Sequence, residues 1–312
     1  MKESEIHLRR LRSEEWDEVA TLIFDSTNTW YSKHFSKNVF NGQPSAARVF
    51  PEVYELLDPG CCLIAECKAT GRMAGSCFVH PRETHVSLGI MNVHPKFYGR
   101  GVAGILLREV IAMADADGKP VRLVSSAMNL DSFSLYTRHG FVPRAAFQDM
   151  FVAVPEGGLE VAEPAGRERV REAVAGDAEG MAALEMELCH IHRADDFRHF
   201  IENQAGIWHV SVIENSRGDI DGFLCSVNHP GSNMIGPGAM RTQADAAALL
   251  HAELDAHRGR APVFLVPVDS ADLVRTAYSW GARNCEVHFC QVLGKFEGFG
   301  GVSMPTFMPE TG

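Results

Sequence analysis

The segment from Val93 to Gly104 places glycines and basic side chains between a strand pattern and a helix pattern. Glycine permits a tight turn and lets a ligand approach the backbone closely. The start of the following helix offers unpaired N–H groups and the positive end of the helix dipole. Such a loop can hold an anion of the pyrophosphate type, and Arg100 can add a positive charge.

Several folds bind phosphate groups with a loop of this kind, and the elements that precede the loop distinguish between these folds. Strands are predicted over 61–67, 73–80 and 84–93, joined by short turns as an antiparallel meander. A dinucleotide-binding domain would instead open with a chain of β-α-β units. The pattern therefore disfavours a dinucleotide-binding fold.

The loop resembles the pyrophosphate loop of the GNAT acyltransferases, Gln/Arg-x-x-Gly-x-Gly/Ala. Gly101 and Ala103 match, and Tyr98 stands where Gln or Arg is usual. The segment Met91-Asn92-Val93 is similar to the family's strand that hydrogen-bonds the pantetheine arm and the thioester carbonyl. The resemblance implies acetyl-CoA as co-substrate, bound by Met91, Asn92, Val93, Tyr98, Gly99, Arg100, Gly101, Val102, Ala103, Gly104, Asn129 and Ser132.

A second motif, Asn129-x-x-Ser132-x-x-Leu135-Tyr136-x-x-x-Gly140-Phe141, is similar to a helix and turn of the same family. The resemblance implies that Asn129 contacts the cofactor arm and that Tyr136 is catalytic, protonating the departing thiolate. The alternative for Tyr136 is a packed tyrosine whose hydroxyl is satisfied within the protein. The resemblance covers about the first half of the chain closely.

Transfer to an amine also requires that the amine be deprotonated and that backbone N–H groups stabilise the developing oxyanion. The sequence does not single out one base. Glu83, His85 and the loop before Phe50 stay open, as does a chain of water molecules.

Most of the elements that position these residues follow from apolar periodicity. Before the meander we predict a strand over 6–9, a helix from Ser13 to Ile23 and a less regular segment over 24–50. After it we predict a helix from Val102 to Gly118, a strand over 121–125, a helix over 129–138 and a strand over 147–154.

The segment 155–167 is rich in Gly, Pro and Glu, so we predict a linker between domains 1–158 and 159–312. The second half repeats the order, which suggests an internal duplication. Its predicted strands are 169–173, 208–214, 220–227, 233–240, 262–267 and 286–293, and its helices are 177–188, 242–257 and 271–279. We expect two α+β domains of GNAT type, each a mixed, mostly antiparallel sheet flanked by helices.

The second half lacks the glycine loop. Arg241 to Asp245 contains no glycine and places an acid at the helix start, which repels an anion. Tyr278 and Gly281 echo Tyr136 and Gly140 at a spacing one residue shorter. We therefore expect a degenerate copy with a structural or substrate-shaping role.

A metal site is considered at a group of polar residues in the second half: Cys189, His190, His192, His199, Asp195 and Asp196. No standard zinc spacing appears among them, and residues two apart on a helix do not share a face. We predict no metal.

The net charge of −11 argues against nucleic-acid or membrane-surface binding, because both are polyanions. No apolar run is long enough to span a bilayer and no signal peptide is recognised, so we expect a cytoplasmic protein. Seven cysteines in apolar stretches are predicted to be reduced core residues: Cys61, Cys62, Cys67, Cys77, Cys225, Cys285 and Cys290.

These observations favour an acetyl-CoA-dependent N-acetyltransferase. The alternatives are a regulatory module that binds acyl-CoA without turnover and a scaffold that has lost its ligand, against which the intact loop argues. The acceptor stays open among a small amine, an aminoglycoside, an amino acid and a peptide terminus, because variable loops shape acceptor pockets.

Overall fold

The first half of the chain forms ten elements in a computed structural model that describes residues 3–306. They are β1 (Ile6–Arg10), α1 (Trp16–Phe35), α2 (Val49–Leu57), β2 (Cys62–Cys67), β3 (Met73–Pro81), β4 (Val86–Val93), α3 (Val102–Ala116), β5 (Val121–Ser126), α4 (Leu130–Arg138) and β6 (Val142–Phe151). The meander and the two helices that follow it are as predicted.

The second half repeats the succession and adds a strand. Its elements are β7 (Val170–Glu172), α5 (Ala178–Cys189), α6 (Ala194–Glu202), β8 (Trp208–Glu214), β9 (Ile220–His229), β10 (Ser232–Met240), α7 (Gln243–Ala256), β11 (Val263–Pro267), α8 (Ala271–Ser279), β12 (Arg283–Leu293) and β13 (Val302–Met304).

The two halves exchange strands in one sheet, which has 13 strands over residues 3–306. Strand β12 of the second half lies between β5 and β6 of the first half, and its His288 is opposite both Ser126 and Phe147. Strand β6 of the first half lies beside β11 of the second half, and its Asp149 is opposite Leu265. The polypeptide thus crosses between the halves at the centre of the sheet.

Helices cover both faces of this sheet. One core cluster holds α1, α2, α5 and α6 together with Phe147 of β6 and Cys290 of β12. Met150 of β6 points to the opposite face, where it packs in the cluster of α7 and α8. The cluster of α3 and α4 covers that same opposite face in the first half. Mixed sheet and flanking helices confirm the predicted α+β class.

The prediction of a less regular segment over 24–50 was wrong for residues 24–35, whereas residues 36–43 form neither helix nor strand. Helix α1 continues to Phe35 and ends at Ser36, whose φ of 54° is left-handed and whose N–H donates to Ser32 O at 3.1 Å. Two threonines and an asparagine lower helix propensity in this stretch, but aromatic packing outweighs them. The Trp30 ring lies 5.1 Å from that of Tyr31 and 5.6 Å from that of Phe35.

Other predictions need smaller corrections. The closing strand of the first half begins at Val142 instead of residue 147, because its early residues pair with β12. Helices α2 and α6 were not predicted. Cys285 is exposed, whereas the other six cysteines assigned to the core are buried. Within residues 3–306, no helix combines the length and the apolar character needed to cross a bilayer.

Candidate functional site

The parallel strands β4 and β5 separate soon after they begin. They pair only through Val86 with Val121 and Ser87 with Arg122, and a register irregularity in β4 follows. Beyond this point β4 keeps its bonds to β3, and β5 keeps its bonds to β12. A split therefore opens in the sheet between the carboxyl ends of β4 and β5, where backbone N–H and C=O groups lack a strand partner.

Helix α3 begins beside this split without a capping side chain. Its N-cap is Gly101, with φ of 82°, and Gly99 before it has φ of 71°; a side chain at either would face open space. Within residues 3–306, the N–H groups of Gly99, Gly101, Val102, Ala103 and Gly104 have no backbone acceptor. Five donors at a helix start form a site for an anion such as a pyrophosphate.

Tyr98 and Arg100 differ from the other loop residues. The Tyr98 N–H already donates to Pro95 O at 3.3 Å and the Arg100 N–H to Phe97 O at 3.2 Å. The Tyr98 hydroxyl donates to Ser26 O on α1 at 2.8 Å, and burial raises its pKa. The Arg100 guanidinium lies 5.6 Å from the Phe97 ring centroid. Tyr98 thus fastens the loop to α1 instead of offering a donor to a ligand.

The end of β4 supplies the wall of the split opposite β5. Met91 and Val93 pack against the core cluster that contains Val102 and Tyr136. Asn92 is 8% exposed, and its Nδ2 donates to Thr27 Oγ1 on α1 at 3.4 Å. Asn92 Oδ1 is buried without a hydrogen-bond partner. Its unsatisfied oxygen marks a place where a ligand donor can bind.

Helix α4 lies beside α3, since a side chain added at Gly104 would lie 3.9 Å from Leu135 Cδ1. Asn129 is the N-cap, and its Oδ1 accepts from Ser132 N at 3.0 Å. Within residues 3–306, Asn129 Nδ2 makes no hydrogen bond, so it remains able to contact a cofactor arm. The main-chain N–H of Ser132, however, is committed to this cap.

Tyr136 occupies the buried face of α4. Its side chain is 5% exposed and its ring centroid lies 5.7 Å from that of Phe141. Burial raises its pKa, and the neighbouring Cys77 raises it further. In the part of the chain that the structure describes, no group accepts from or donates to its hydroxyl. The alternative of a tyrosine satisfied within the protein therefore finds no support, and the hydroxyl is kept in its protonated form.

The candidates for a general base do not lie at the split. Glu83 and His85 are in the turn before β4, and His85 precedes Met91 by six residues, about 20 Å along an extended strand. His85 is buried there, with Nδ1 2.9 Å from Thr84 Oγ1. The loop before Phe50 contains Lys37 and Arg48 but no carboxylate or imidazole, and the Arg48 guanidinium pairs with Asp17 and Glu52. These suggestions are therefore corrected.

A polar cluster that was not predicted lies at the end of β5. The Tyr31 hydroxyl donates to Glu286 Oε1 at 3.0 Å, and the Ser126 hydroxyl donates to the same oxygen. On the neighbouring strands His288 Nδ1 lies 2.7 Å from Asp149 Oδ1. No local motif marks these residues, because strand exchange brings them together from both halves.

The equivalent split in the second half is filled by the protein itself. Strands β10 and β11 pair only at Met234 with Val263 and Ile235 with Phe264, and β13 occupies the space beyond. Residues Val302–Met304 pair with Gly238, Ala239 and Met240. Met304 is fully buried. A CoA arm has no room where β13 lies.

The helix start beside that split is also occupied. Thr242 is the N-cap of α7, and its Oγ1 accepts from Asp245 N at 3.1 Å. The Asp245 carboxylate receives a hydrogen bond from Arg169 at 2.5 Å. The polar group around His190 gives no metal site either: residues 3–306 contain no cluster of three potential ligands placed to hold an ion.

Comparison with known proteins agrees with this geometry. Residues 23–141 match the model of the acetyltransferase (GNAT) family. No curated protein matches the sequence at a significant level. The fold is similar to that of a protein from Pyrococcus horikoshii assigned as an acetyltransferase, with 15% identity, a TM-score of 0.73 and coverage of 96% of this chain and 92% of that one.

Two further structures have a similar fold. A tandem GNAT protein from the clavulanic acid biosynthesis pathway is 13% identical, with a TM-score of 0.62 and coverage of 94% of this chain and 100% of that one. The Saccharomyces cerevisiae N-myristoyltransferase with bound myristoyl-CoA is 12% identical, with a TM-score of 0.58 and coverage of 96% and 81%. Residues 23–141 therefore match the GNAT family, within a chain that has a GNAT-like fold along its described length.

Proposed function

We propose that the chain transfers an acetyl group from acetyl-CoA to the nitrogen of an amine, at the split between β4 and β5. The proposal is supported by the uncapped start of α3 beside the split and by the buried Tyr136 hydroxyl, which has no hydrogen-bond partner among residues 3–306. One end of such a site suits a pyrophosphate and the other suits a thioester.

The residues divide the chemistry between them. The N–H groups of Gly99 and of Gly101 to Gly104 would hold the pyrophosphate, and the unpaired edge of β4 would hold the pantetheine amides and the thioester carbonyl. An amine nitrogen then attacks the carbonyl carbon, and the C–N bond forms as the C–S bond breaks. Tyr136 donates its proton to the sulfur and regains one from the nitrogen, so the thiol and the amide leave neutral.

We propose an acetyl group as the acyl chain because of the packing behind the split. The large side chains behind the split are packed within the core cluster of α3 and α4. A long acyl chain needs a continuous apolar tunnel, whereas an acetyl group needs only the space beside the carbonyl.

The test is calorimetry with acetyl-CoA and myristoyl-CoA, followed by an assay of CoA release with a panel of amines. We expect about one acetyl-CoA site per chain and amine-dependent release of CoA. Binding without release for any amine would indicate a regulatory module. No binding at all would refute the site.

A further inference from the structure

Glu286 carries a negative charge that the protein does not neutralise. It is half-buried, and both of its carboxylate oxygens lie near hydroxyl groups: Tyr31 Oη is 3.0 Å from Oε1 and 3.2 Å from Oε2, and Ser126 donates to Oε1. Over residues 3–306 it forms no ion pair with Lys, Arg or His. A partly buried carboxylate without a cation favours a positively charged ligand.

Its neighbours keep the carboxylate fixed and do not neutralise it. Ser126 Oγ also accepts from Met128 N at 3.0 Å, which orients the hydroxyl toward Glu286. Asp149 is hydrogen-bonded to His288. Burial and the negative charge of Glu286 both raise the pKa of Asp149. The Lys37 ammonium lies 5.5 Å from the Tyr31 ring centroid, on the exposed side.

The register of the strands places Glu286 at the end of the split where the proposed acyl transfer takes place. The end of β5 lies across the split from the end of β4, since the two parallel strands begin as the pair Val86 and Val121 and then separate. Ser126 is opposite His288 on β12, and the Ala127 N–H donates to Val287 O at 2.8 Å. Glu286 therefore lies just past the end of β5, on the side of the sheet where β4 also ends.

Helix α1 spans the split from Asn92 to Glu286. Thr27 and Tyr31 are four residues apart and lie on one face of the helix. Thr27 receives the hydrogen bond from Asn92 Nδ2, and Tyr31 donates to Glu286. Asn92 Oδ1, buried and unpartnered, thus stands on one wall and the Glu286 carboxylate on the other. Both are acceptors, so the space between them suits a group that only donates.

We propose that Glu286, from the second half of the chain, binds the ammonium group of a cationic primary amine, takes one of its protons and presents the amine to the thioester. This inference rests on the proposed acetyl transfer. The nitrogen loses one proton to Glu286 and then to solvent. Its lone pair forms the C–N bond, and its second proton replaces the one that Tyr136 gives to the sulfur.

The probe is a pair of amines that differ in charge near neutral pH: benzylamine, which is a cation, and aniline, which is neutral. Glu286→Gln keeps the shape of the side chain and removes its charge. We expect kcat/KM for benzylamine to fall by about tenfold or more, as for a lost charge-assisted contact, and kcat/KM for aniline to change by less than about twofold.

Two variants provide the controls. Glu83→Gln makes the same charge change at the exposed turn before β4 and should leave both amines unaffected. Tyr31→Phe removes the bond to Glu286 without altering β12 and should raise KM for benzylamine while aniline is unchanged. Melting temperature and acetyl-CoA affinity, measured for every variant, should match those of the parent chain.

The outcomes separate this inference from the proposed function. If acetyl-CoA does not bind the parent chain, acetyl transfer itself fails. If acetyl-CoA binds and Glu286→Gln uses benzylamine as well as the parent does, the role of Glu286 is overturned. The role is also overturned if the parent binds acetyl-CoA and acetylates aniline or glutamate but neither benzylamine nor spermidine. The same holds if the parent binds acetyl-CoA and acetylates none of these four amines.

Discussion

Tyr31 and Glu286 are 255 residues apart in the sequence, yet the hydroxyl of the first donates to the carboxylate of the second at 3.0 Å. Their contact joins α1 to β12 over the end of β5. Because β12 belongs to the second half, that half contributes a side chain to the site of the first. The proposed site thus draws on both repeats, although only the first has the glycine loop.

Gly101→Val should weaken acetyl-CoA binding by about tenfold or more. The φ of 82° is costly for a β-branched residue, about 1–2 kcal/mol, and relief of that strain would turn the helix donors away. The control is Gly218→Val, at a turn of the second half with φ of 85° and equally open surroundings. Calorimetry should show weaker binding for the first variant only, and equal losses would show that the loop assignment is wrong.

Tyr136→Phe should retain acetyl-CoA affinity and lower kcat by about a hundredfold, the usual contribution of general acid catalysis. Tyr278→Phe is the matched control, because Tyr278 is exposed in the second half, where its hydroxyl donates to Gln148. Burial raises the Tyr136 pKa, so its proton is retained at alkaline pH and this group causes no fall in rate up to about pH 10. An unchanged kcat would make Tyr136 a packing residue.

The second half should bind no acyl-CoA, so titration of the full chain should give one site. The reason is that β13 fills the split between β10 and β11, and Thr242 caps α7. Titration of both the parent and Gly101→Val with acetyl-CoA shows whether the measured binding is at the loop that contains Gly101. A second site that persists in Gly101→Val would contradict the assignment.

Residues 1–158 expressed alone should be insoluble or inactive, because β5 would lose β12 and β6 would lose β11. Co-expression with residues 159–312 should restore a soluble complex, since each fragment then supplies the strand that the other lacks. Gel filtration and CoA release are the measurements. An active, monomeric fragment 1–158 would show that the exchanged strand is dispensable.

Stability should fall as the pH falls below about 6.5. His257 is 2% exposed, and burial lowers its pKa from 6.5 to about 4. The unfolded chain binds a proton more readily than the folded chain between these values, so the stability present above pH 6.5 is lost toward pH 4. From pH 7 to pH 5 this amounts to about 2 kcal/mol.

Urea denaturation of His257→Gln should show less of this pH dependence than the parent. The corresponding change at the exposed His34 serves as the control. Equal slopes for the parent and His257→Gln would assign the acid sensitivity to other groups, such as the buried His80, whose pKa burial also lowers.

Local patterns were sufficient to predict much of the fold and the loop. The Trp208–Glu214 strand and the Ala271–Ser279 helix have their predicted bounds, and Gly101 opens α3 as expected. Such features depend on neighbours in sequence: apolar alternation, caps and glycine. The continuation of α1 was missed because it depends on packing among Trp30, Tyr31 and Phe35, which propensity does not include.

The cluster around Glu286 could not be predicted for a different reason. Its members come from α1, β5, β6 and β12, and only the exchange of strands brings them together. Likewise, β13 is three residues long and has no pattern that predicts its place in the second split. Pairings of this kind depend on contacts that are distant in the chain, which a single sequence does not reveal.

The exchange of β6 and β12 also sets the order in which the protein can mature during synthesis. The first half leaves the ribosome with an incomplete sheet, because the strand that pairs with β5, Arg283–Leu293, is synthesised more than 150 residues after β5. Until that strand emerges, the edge of β5 stays open to incorrect partners, and chaperone contact is most needed in this interval. The nascent chain can therefore acquire the complete proposed site only after Leu293 has been synthesised.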